Sequence, residues 1–146
     1  MLRDCRADDA EALVSMIERY FAHDHIPFDE QAVQRGLAQL LGDPRLGQAW
    51  IVEENGLAVG YAIVTFGFDL EMGGRFALLT DLYLEPSRRG QGRGMQMLAE
   101  LERRLVGLGV VTFELTVEQK NQHAQALYRK AGFSARDRFP MTKRIA

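Results

Sequence analysis

Apolar residues near the N-terminus recur with the period of a helix. A short strand is predicted over residues 2–6, and the segment after it carries apolar side chains every four positions: Leu13, Ile17 and Phe21. This period predicts an amphipathic helix that ends before His23, with Asp8 or Asp9 in position to cap its first turn. The chain is therefore expected to begin with a strand and a helix.

A second helix and a group of strands are predicted next. Asp29 can cap a helix that stops at the Gly42-Asp43-Pro44 segment. The pattern then changes to that of strands, with a hairpin of residues 49–53 and 58–66 around an Asn-Gly turn. A further strand is predicted over residues 75–84.

The C-terminal part is predicted to alternate helices and strands. A helix follows residue 94 and ends at the Gly107-Leu108-Gly109 segment, and its apolar positions are Met95, Leu98, Leu101 and Leu105. A β-branched strand over 110–117, a short helix over 122–131 and two final strands, 133–139 and 141–145, complete the chain. The order β-α-α-β-β-β-α-β-α-β-β predicts an α/β (α+β) domain with a mixed sheet.

Composition favours one domain that lies outside membranes. The 146 residues are 47% hydrophobic, which is enough apolar surface for one core over residues 1–146. The N-terminal segment Met1–Arg6 is charged, unlike a signal peptide, and no apolar run is long enough to span a bilayer. The single cysteine, Cys5, cannot form an internal disulfide, which agrees with a reducing compartment. We expect a cytoplasmic protein with no membrane partner.

Charge is distributed unevenly along the chain. Residues 1–70 contain 12 acids and 5 bases, and residues 71–146 contain 8 acids and 13 bases, so the halves carry −7 and +5. This asymmetry favours a polyanionic ligand on the C-terminal half and a cationic one near the N-terminal half, although scattered surface charges would give the same count. The acidic total and the lack of an aromatic-basic pattern oppose nucleic-acid binding.

A glycine-rich loop lies between the strand over 75–84 and the following helix. Gly90, Gly92 and Gly94 allow close approach of a ligand to the backbone, and a helix N-terminus presents free N–H groups. Arg88, Arg89 and Arg93 add positive charge. These features predict a diphosphate site, and the alternative is a tight turn with solvated arginines. The dinucleotide fingerprint needs a glycine where Met95 stands, and the Walker lysine is absent.

Two spaced motifs resemble the GCN5-related N-acetyltransferase (GNAT) superfamily. The first is the strand end from Leu79 to Pro86 followed by Arg89-Gly90-Gln91-Gly92-Arg93-Gly94, which matches the family's Arg/Gln-x-x-Gly-x-Gly/Ala pattern. The second consists of Asn121, Ala124, Ala126, Leu127, Tyr128, Gly132 and Phe133. The resemblance covers essentially the whole chain and is loosest over residues 22–47.

The resemblance implies a mostly antiparallel sheet flanked by helices, with the fourth strand splayed from the fifth to form an acetyl-CoA cleft. Pantetheine would then pair with the backbone of the fourth strand, and the N–H groups of Arg89 through Gly94 would hold the pyrophosphate. The implied cofactor-binding residues are Leu82, Tyr83, Leu84, Arg88, Arg89, Gly90, Gln91, Gly92, Arg93, Gly94, Asn121, Ala124 and Tyr128. No metal is implied.

The resemblance also implies roles in catalysis. Tyr128 matches the family's general acid, and the N–H of Leu82 would stabilise the oxyanion. Asp81 could orient a water or bind an ammonium group, with Glu85 as the next candidate. Strand alternation places Asp81, Tyr83 and Glu85 on one face, unless the bulge expected from the family breaks this alternation. The competing roles are an aromatic packed beside Leu127 for Tyr128, a solvated carboxylate for Asp81 and a helix cap for Asn121.

The acceptor is predicted from the segments that vary most in this superfamily. The predicted substrate-binding residues are His23, Asp24, His25, Phe66, Phe68 and Asp81. The acids Asp69, Glu71 and Asp81 favour a small cationic amine, and a peptide or protein amine fits the family as well. The alternative function is a non-catalytic acyl-CoA-binding or regulatory module. A homodimer is compatible with the resemblance, since subunits of relatives commonly pair.

Overall fold

A computed structural model describes residues 1–146, which divide into two compact units, residues 1–116 and 117–146. The first unit contains three helices, α1 Ala10–His23, α2 Glu30–Gly42 and α3 Arg93–Gly107, and five strands, β1 Leu2–Asp4, β2 Gly47–Glu54, β3 Leu57–Asp69, β4 Gly74–Leu84 and β5 Thr112–Leu115. The second unit contains helix α4, Gln122–Lys130. None of the helices is long and apolar enough to cross a membrane. The single-domain organisation stays a prediction.

The five strands form one sheet in the order β1-β2-β3-β4-β5. The first four strands pair in antiparallel fashion, and β5 runs parallel to β4. The β2–β3 connection is the predicted Asn-Gly turn, since Asn55 and Gly56 have φ of 51° and 76°, both in the left-handed region that a two-residue hairpin requires. The predicted mixed α/β class with a mostly antiparallel sheet is therefore confirmed.

Helices α1 and α2 pack on one face of the sheet. Their buried residues Leu13, Val14, Met16, Ile17 and Leu37 form a cluster with Ala49, Ile51, Tyr61, Ile63 and Tyr83 of the strands. Strand neighbours that point the other way, such as Trp50 and Ala62, are buried outside this cluster, as are the apolar residues of α3. Because side chains alternate along a strand, α3 covers the opposite face.

Only one of the two predicted helix caps in the N-terminal half is formed. Asp29 caps α2 by accepting a hydrogen bond from Ala32 N–H at 3.2 Å. Asp9 occupies the predicted N-cap position of α1, but its side chain forms no capping hydrogen bond with that helix. Asp9 is buried. Its carboxylate accepts a hydrogen bond from Arg6 N–H at 2.7 Å and two from the Arg3 guanidinium at 2.7 and 2.8 Å.

The C-terminal strands are the main error of the sequence prediction. Residues 134–146 form neither of the two predicted strands, and the apolar side chains that suggested them, Phe139, Met141 and Ile145, are 77–90% exposed. Strand β5 is also shorter than the predicted 110–117 segment. Alternating apolar residues form a strand only where a partner strand and a covering layer exist. The sequence pattern does not show whether either of them is present.

Candidate active site

A bulge at Thr80 determines which residues of β4 share a face. Ile63 pairs with Asp81 and Val64 pairs with Leu79, so Thr80 is an extra residue without a partner in β3. The bulge expected from the family resemblance is present. Asp81 consequently lies on the α1–α2 face with Ile63, whereas Leu79 lies on the α3 face with Val64.

Asp81 is held in a group of tyrosines. The Tyr61 hydroxyl donates to Asp81 Oδ2 at 2.8 Å, and the Tyr61 side chain is completely buried. The ring of Tyr20 from α1 meets Tyr61 edge-on, with centroids 6.4 Å apart, and the ring of Tyr83 lies 5.9 Å from Tyr61. We name Tyr20, Tyr61, Asp81 and Tyr83 the tyrosine–carboxylate cluster.

The environment of Asp81 disfavours its charged form. Burial raises the pKa of this carboxyl above its usual value, hydrogen bonds from Tyr61 and Thr80 oppose the rise, and the negative charge of Asp24 adds to it. Burial and the charge of Asp81 in turn raise the pKa of the Tyr61 hydroxyl. Tyr61 therefore stays a hydrogen-bond donor, and Asp81 is the group of this pair that can exchange a proton.

Glu85, the second candidate for the base, is engaged by its neighbours. Its carboxylate forms an ion pair with Arg19 of α1 and accepts a hydrogen bond from the Tyr83 hydroxyl at 3.1 Å. Asp81, Tyr83 and Glu85 thus share one face, as strand alternation predicts. Because an arginine compensates Glu85 and none pairs with Asp81, Asp81 is the better candidate for a proton acceptor.

The last part of β4 has an unpaired edge. Strand β5 pairs only with Phe76–Leu79 of β4, so residues 80–84 have no neighbouring strand on that side. Glu85 N–H donates to Val59 O at 2.8 Å. Since N–H groups alternate along a strand, those of Asp81 and Tyr83 also point toward β3, and those of Leu82 and Leu84 point away from it.

This alternation corrects one sequence prediction. The backbone groups of Tyr83 pair with Tyr61 of β3, so they are not available to a ligand. The carbonyl of Leu84 accepts a hydrogen bond from Arg89 Nε at 2.9 Å. The backbone groups left on the open side are the N–H and C=O of Leu82 and the N–H of Leu84.

The glycine-rich loop has an uncommon backbone. Gly90, Gln91 and Gly92 are three successive residues in the left-handed region, with φ of 87°, 57° and 75°. The N–H groups of Arg89 and Arg93 donate to Pro86 O and Gly90 O, so these two predicted phosphate donors are already used. No side chain caps α3, and the remaining N–H groups, those of Gly90, Gln91, Gly92, Gly94 and Met95, have no partner.

The three arginines of the loop differ in what they contact. Arg93 and Arg88 both form ion pairs with Glu54, and the Arg88 contact is 3.3 Å long. The guanidinium of Arg89 lies over the Tyr83 ring, 5.6 Å from its centroid. Their charge is therefore partly compensated in this structure.

The predicted acceptor residues do not all come together. Asp24 is half-buried after the end of α1 and is close enough to influence Asp81, whereas His23 and His25 are exposed. The hairpin register places Phe66 opposite Ala77 and Phe68 opposite Arg75, well along β4 from Asp81. The Arg75 guanidinium stacks 3.9 Å from the Phe66 ring centroid. Roles for Phe66 and Phe68 in acceptor binding stay predictions.

The second unit holds the remaining predicted residues. Asn121 caps α4, because its side chain accepts a hydrogen bond from Ala124 N–H at 3.1 Å. Tyr128 is half-buried, and its ring meets Phe133 edge-on at 6.0 Å. The capping role of Asn121 is formed, and the roles of Asn121, Ala124 and Tyr128 toward a cofactor stay predictions.

Sequence reasoning missed Tyr20, Tyr61 and Glu54. Nothing in the linear sequence pairs residue 61 with residue 81, because their contact depends on the hairpin register after the bulge. The partners of Glu54, Arg88 and Arg93, lie more than 30 residues further along the chain. The available signal was the position of Glu54 directly before an Asn-Gly turn, which fixes a charged side chain on a rigid hairpin.

A cavity of about 440 Å³ lies away from these residues, between α1 and α2. Its lining includes Val14 and Leu37 but no residue of β4 or of the glycine-rich loop. No group of three or more His, Cys, Asp or Glu side chains is arranged to hold a metal ion.

Known proteins resemble this chain over most of its length. The model of the acetyltransferase (GNAT) family matches residues 10–133. An uncharacterized N-acetyltransferase from Mycobacterium tuberculosis (strain ATCC 25618 / H37Rv) is 30% identical over 135 residues, 86% of this chain and 83% of that protein. The aminoalkylphosphonate N-acetyltransferase of Salmonella typhimurium is 26% identical over 99% of this chain and 90% of that protein. The crystal structure of a predicted acetyltransferase with acetyl-CoA from Clostridium acetobutylicum superposes with a TM-score of 0.81 at 23% identity, covering 98% of this chain and 95% of that one.

Proposed function

Because the chain belongs to the acetyltransferase (GNAT) family, we propose that it transfers the acetyl group of acetyl-CoA directly to a primary amine, with a small cationic amine as the favoured acceptor. The observation that carries this proposal is the unpaired edge of β4 beside a loop of unpartnered N–H groups. The edge offers backbone groups to an amide-containing chain, and the loop offers donors to phosphates.

The described residues fit acetyl-CoA. Pantetheine is an extended chain with amide groups, and the N–H and C=O of Leu82 and the N–H of Leu84 match it as an added strand would. The N–H groups of Gly90, Gln91, Gly92, Gly94 and Met95 at the start of α3 suit a diphosphate. Acetyl-CoA supplies the acetyl group as an activated thioester.

The tyrosine–carboxylate cluster supports a cationic acceptor. Asp81 and Asp24 supply negative charge that attracts an ammonium group, and Tyr20, the partly exposed ring of the cluster, offers it an aromatic face. The similarity to an aminoalkylphosphonate N-acetyltransferase, whose name describes a small amine acceptor, supports the small size of the acceptor but not its net positive charge. A peptide or protein amine is the second acceptor class within this function.

The proposed chemistry divides among three groups of this chain. The N–H of Leu82 donates to the carbonyl oxygen on which charge develops, and Asp81 takes one proton from the acceptor ammonium, directly or through a water. Tyr128 gives its hydroxyl proton to the sulfur as the carbon–sulfur bond breaks and regains a proton from the acylated nitrogen. The nitrogen gains the acetyl group, and coenzyme A leaves as the thiol.

An acceptor screen tests the function. Purified protein is incubated with acetyl-CoA and a panel of diamines, amino acids, aminoalkylphosphonates and peptides, with thiol release and product mass as readouts. We expect transfer to at least one small amine. Tight binding of acetyl-CoA with no transfer to any amine would instead identify an acyl-CoA-binding module, and no binding of acetyl-CoA would contradict the proposal altogether.

The variant Tyr128→Phe tests the proposed acid. It should lower kcat by about 100-fold or more, because positioned proton transfer contributes that much. The Kd for acetyl-CoA should change little, since the ring remains. Unchanged kcat would remove Tyr128 from this role.

A further inference from the structure

Glu54 joins the two ends of the glycine-rich loop. It is the last residue of β2, and its carboxylate forms ion pairs with Arg88, which enters the loop, and with Arg93, the first residue of α3. The three side chains are partly shielded, with exposures of 20% for Glu54, 28% for Arg93 and 37% for Arg88. One carboxylate therefore spans the loop from its entry to the start of the helix.

The loop needs such an external restraint. Gly90, Gln91 and Gly92 occupy the left-handed region in succession, and a non-glycine residue such as Gln91 is uncommon there. No side chain caps α3, and the internal hydrogen bonds at Arg89 and Arg93 are long, 3.3 and 3.2 Å. Local interactions alone do not account for this conformation, so contacts from neighbouring elements must stabilise it.

The element that presents Glu54 is well fixed. The Asn55-Gly56 turn is a tight two-residue hairpin, and it follows a register shift between Val52 and Glu53. Val52 and Val59, on the two strands of the hairpin, are buried. A carboxylate on a rigid hairpin can hold a flexible loop in one geometry.

We propose that Glu54 is a positioning residue for the glycine-rich loop, an inference that rests on the proposed function. Glu54 holds Arg93 at the start of α3 in both the free and the bound protein. Arg88, which is more exposed and has the longer contact, turns from Glu54 to the diphosphate when the ligand binds. Arg93 is then a structural partner of Glu54, and Arg88 is the arginine that contacts the ligand.

The direction in which Glu54→Gln changes the Kd for coenzyme A distinguishes a positioning role of Glu54 from a purely electrostatic one. An anion beside a phosphate site repels the ligand, so if Glu54 were only a nearby charge, Glu54→Gln would strengthen coenzyme A binding. If Glu54 positions the loop, the same variant weakens binding. We expect the Kd for coenzyme A, measured by calorimetry, to rise about three- to fivefold, the range that partly exposed ion pairs support.

Two comparison variants complete the test. Glu102→Gln removes the same charge from an exposed site on α3 and should leave the Kd for coenzyme A nearly unchanged. Glu54→Asp keeps the charge but shortens the side chain, so it should also weaken binding. Tighter binding by Glu54→Gln, or wild-type affinity in Glu54→Asp, would overturn the positioning role.

The two arginines should respond differently to salt. Arg88→Met should raise the Kd for coenzyme A and make it less dependent on NaCl concentration, because a direct charge contact with the ligand is lost. Arg93→Met should raise the Kd but keep the salt dependence of the wild-type protein. The reverse assignment would contradict the roles given to the two arginines.

A ligand-free readout distinguishes failure of this inference from failure of the proposed function. Hydrogen exchange of the hydrogen-bonded amides in and around the loop, those of Arg89, Arg93 and Gln96, should be faster in Glu54→Gln than in the wild-type protein without any ligand. Unchanged exchange would contradict the ordering role of Glu54. If wild-type protein does not bind coenzyme A but exchange still accelerates in the variant, the proposed function fails while the structural part of the inference stands.

Discussion

At the scale of single residues, Asp81 is in an unfavourable position for stability and a useful one for chemistry. Its carboxyl is shielded from solvent near Asp24 without a cationic partner, and its pKa is raised. A carboxyl whose pKa is higher in the folded state destabilises the fold once pH exceeds its ordinary value, since the unfolded chain ionises more readily. Such a cost at a group able to accept a proton is typical of functional sites.

Replacing the carboxylate of Asp81 should lower activity without lowering thermal stability. Asp81→Asn should lower kcat/KM by about 100-fold if Asp81 takes the acceptor proton. At pH 7 its melting temperature should be unchanged or about 2–4 °C higher, because the unfavourable charge is gone. Acetylation assays and thermal unfolding measure both quantities. A larger loss of activity in Glu85→Gln than in Asp81→Asn would transfer the role to Glu85.

The hydroxyl of Tyr61 should tune the pH profile. It donates to the charged form of Asp81, so it lowers the pKa of that carboxyl. Tyr61→Phe should therefore shift the acid limb of kcat/KM to higher pH. Tyr20→Phe is a suitable control, since Tyr20 is not among the groups that shift the pKa of Asp81. An unshifted limb in Tyr61→Phe would show that Asp81 does not control the profile.

The limits of sequence prediction at this scale are clear from the same residues. Asp81 and the glycine-rich loop could be found because they lie within continuous motifs. Tyr61 could not, because its contact with Asp81 depends on one extra residue at Thr80, and a register error of one residue moves every side chain to the other face. Glu54 was missed for a related reason, since its partners are distant in sequence.

At the scale of elements, the sequence predicted correctly those features that depend only on neighbouring residues. The Asn-Gly hairpin, the Asp29 cap and the helices with strong apolar periodicity all formed. The two final strands did not form, and β5 is short, because strand formation depends on a partner that the pattern does not identify. The unpaired edge of β4 arises from this short strand and could be expected only through the family resemblance.

Gly60 should be essential to the pairing of β3 with β4. A Cβ atom there would lie 2.3 Å from Tyr83 O and 2.9 Å from Leu84 Cδ2, so Gly60→Ala must separate the strands near the unpaired edge. We expect a loss of about 2 kcal/mol or more in the free energy of unfolding, measured in urea.

Gly36→Ala is the matched control for this substitution. Gly36 lies within α2, and no atom stands within 4 Å of the position that its Cβ would take. Alanine should therefore stabilise the protein by about 0.5–1 kcal/mol, because it has the higher helix propensity. Equal effects of the two substitutions would contradict the close approach of β4 to Gly60.

At the scale of the whole molecule, the guanidinium of Arg3 links the first strand to the segment before α1 and to the end of β2. Arg3 of β1 pairs with Asp9 before α1 and with Glu53 of β2. The hydrogen bond from Arg3 lowers the pKa of Asp9 to about 2. A carboxyl with a lowered pKa stabilises the fold at pH values above its unfolded value, and this stability disappears as pH falls through the folded value.

Asp9→Asn should therefore destabilise the protein in a pH-dependent way. At pH 7 the free energy of unfolding should fall by about 2 kcal/mol, which corresponds to the change in pKa. The difference from wild type should shrink between about pH 4 and about pH 2. Urea unfolding across this range measures it, with the exposed neighbour Asp8→Asn as control. A difference that does not change with pH would show that the carboxylate charge is not responsible.

The unpaired edge of β4 also has a consequence for handling the protein. An open strand edge can add a strand from another polypeptide as readily as it can add a ligand, and this is a common start of aggregation. Asp81 is the one charged residue on that stretch, and it points to the sheet face rather than along the edge. Preparations stored without coenzyme A should therefore become turbid sooner than those stored with it, so the ligand would serve as a formulation additive.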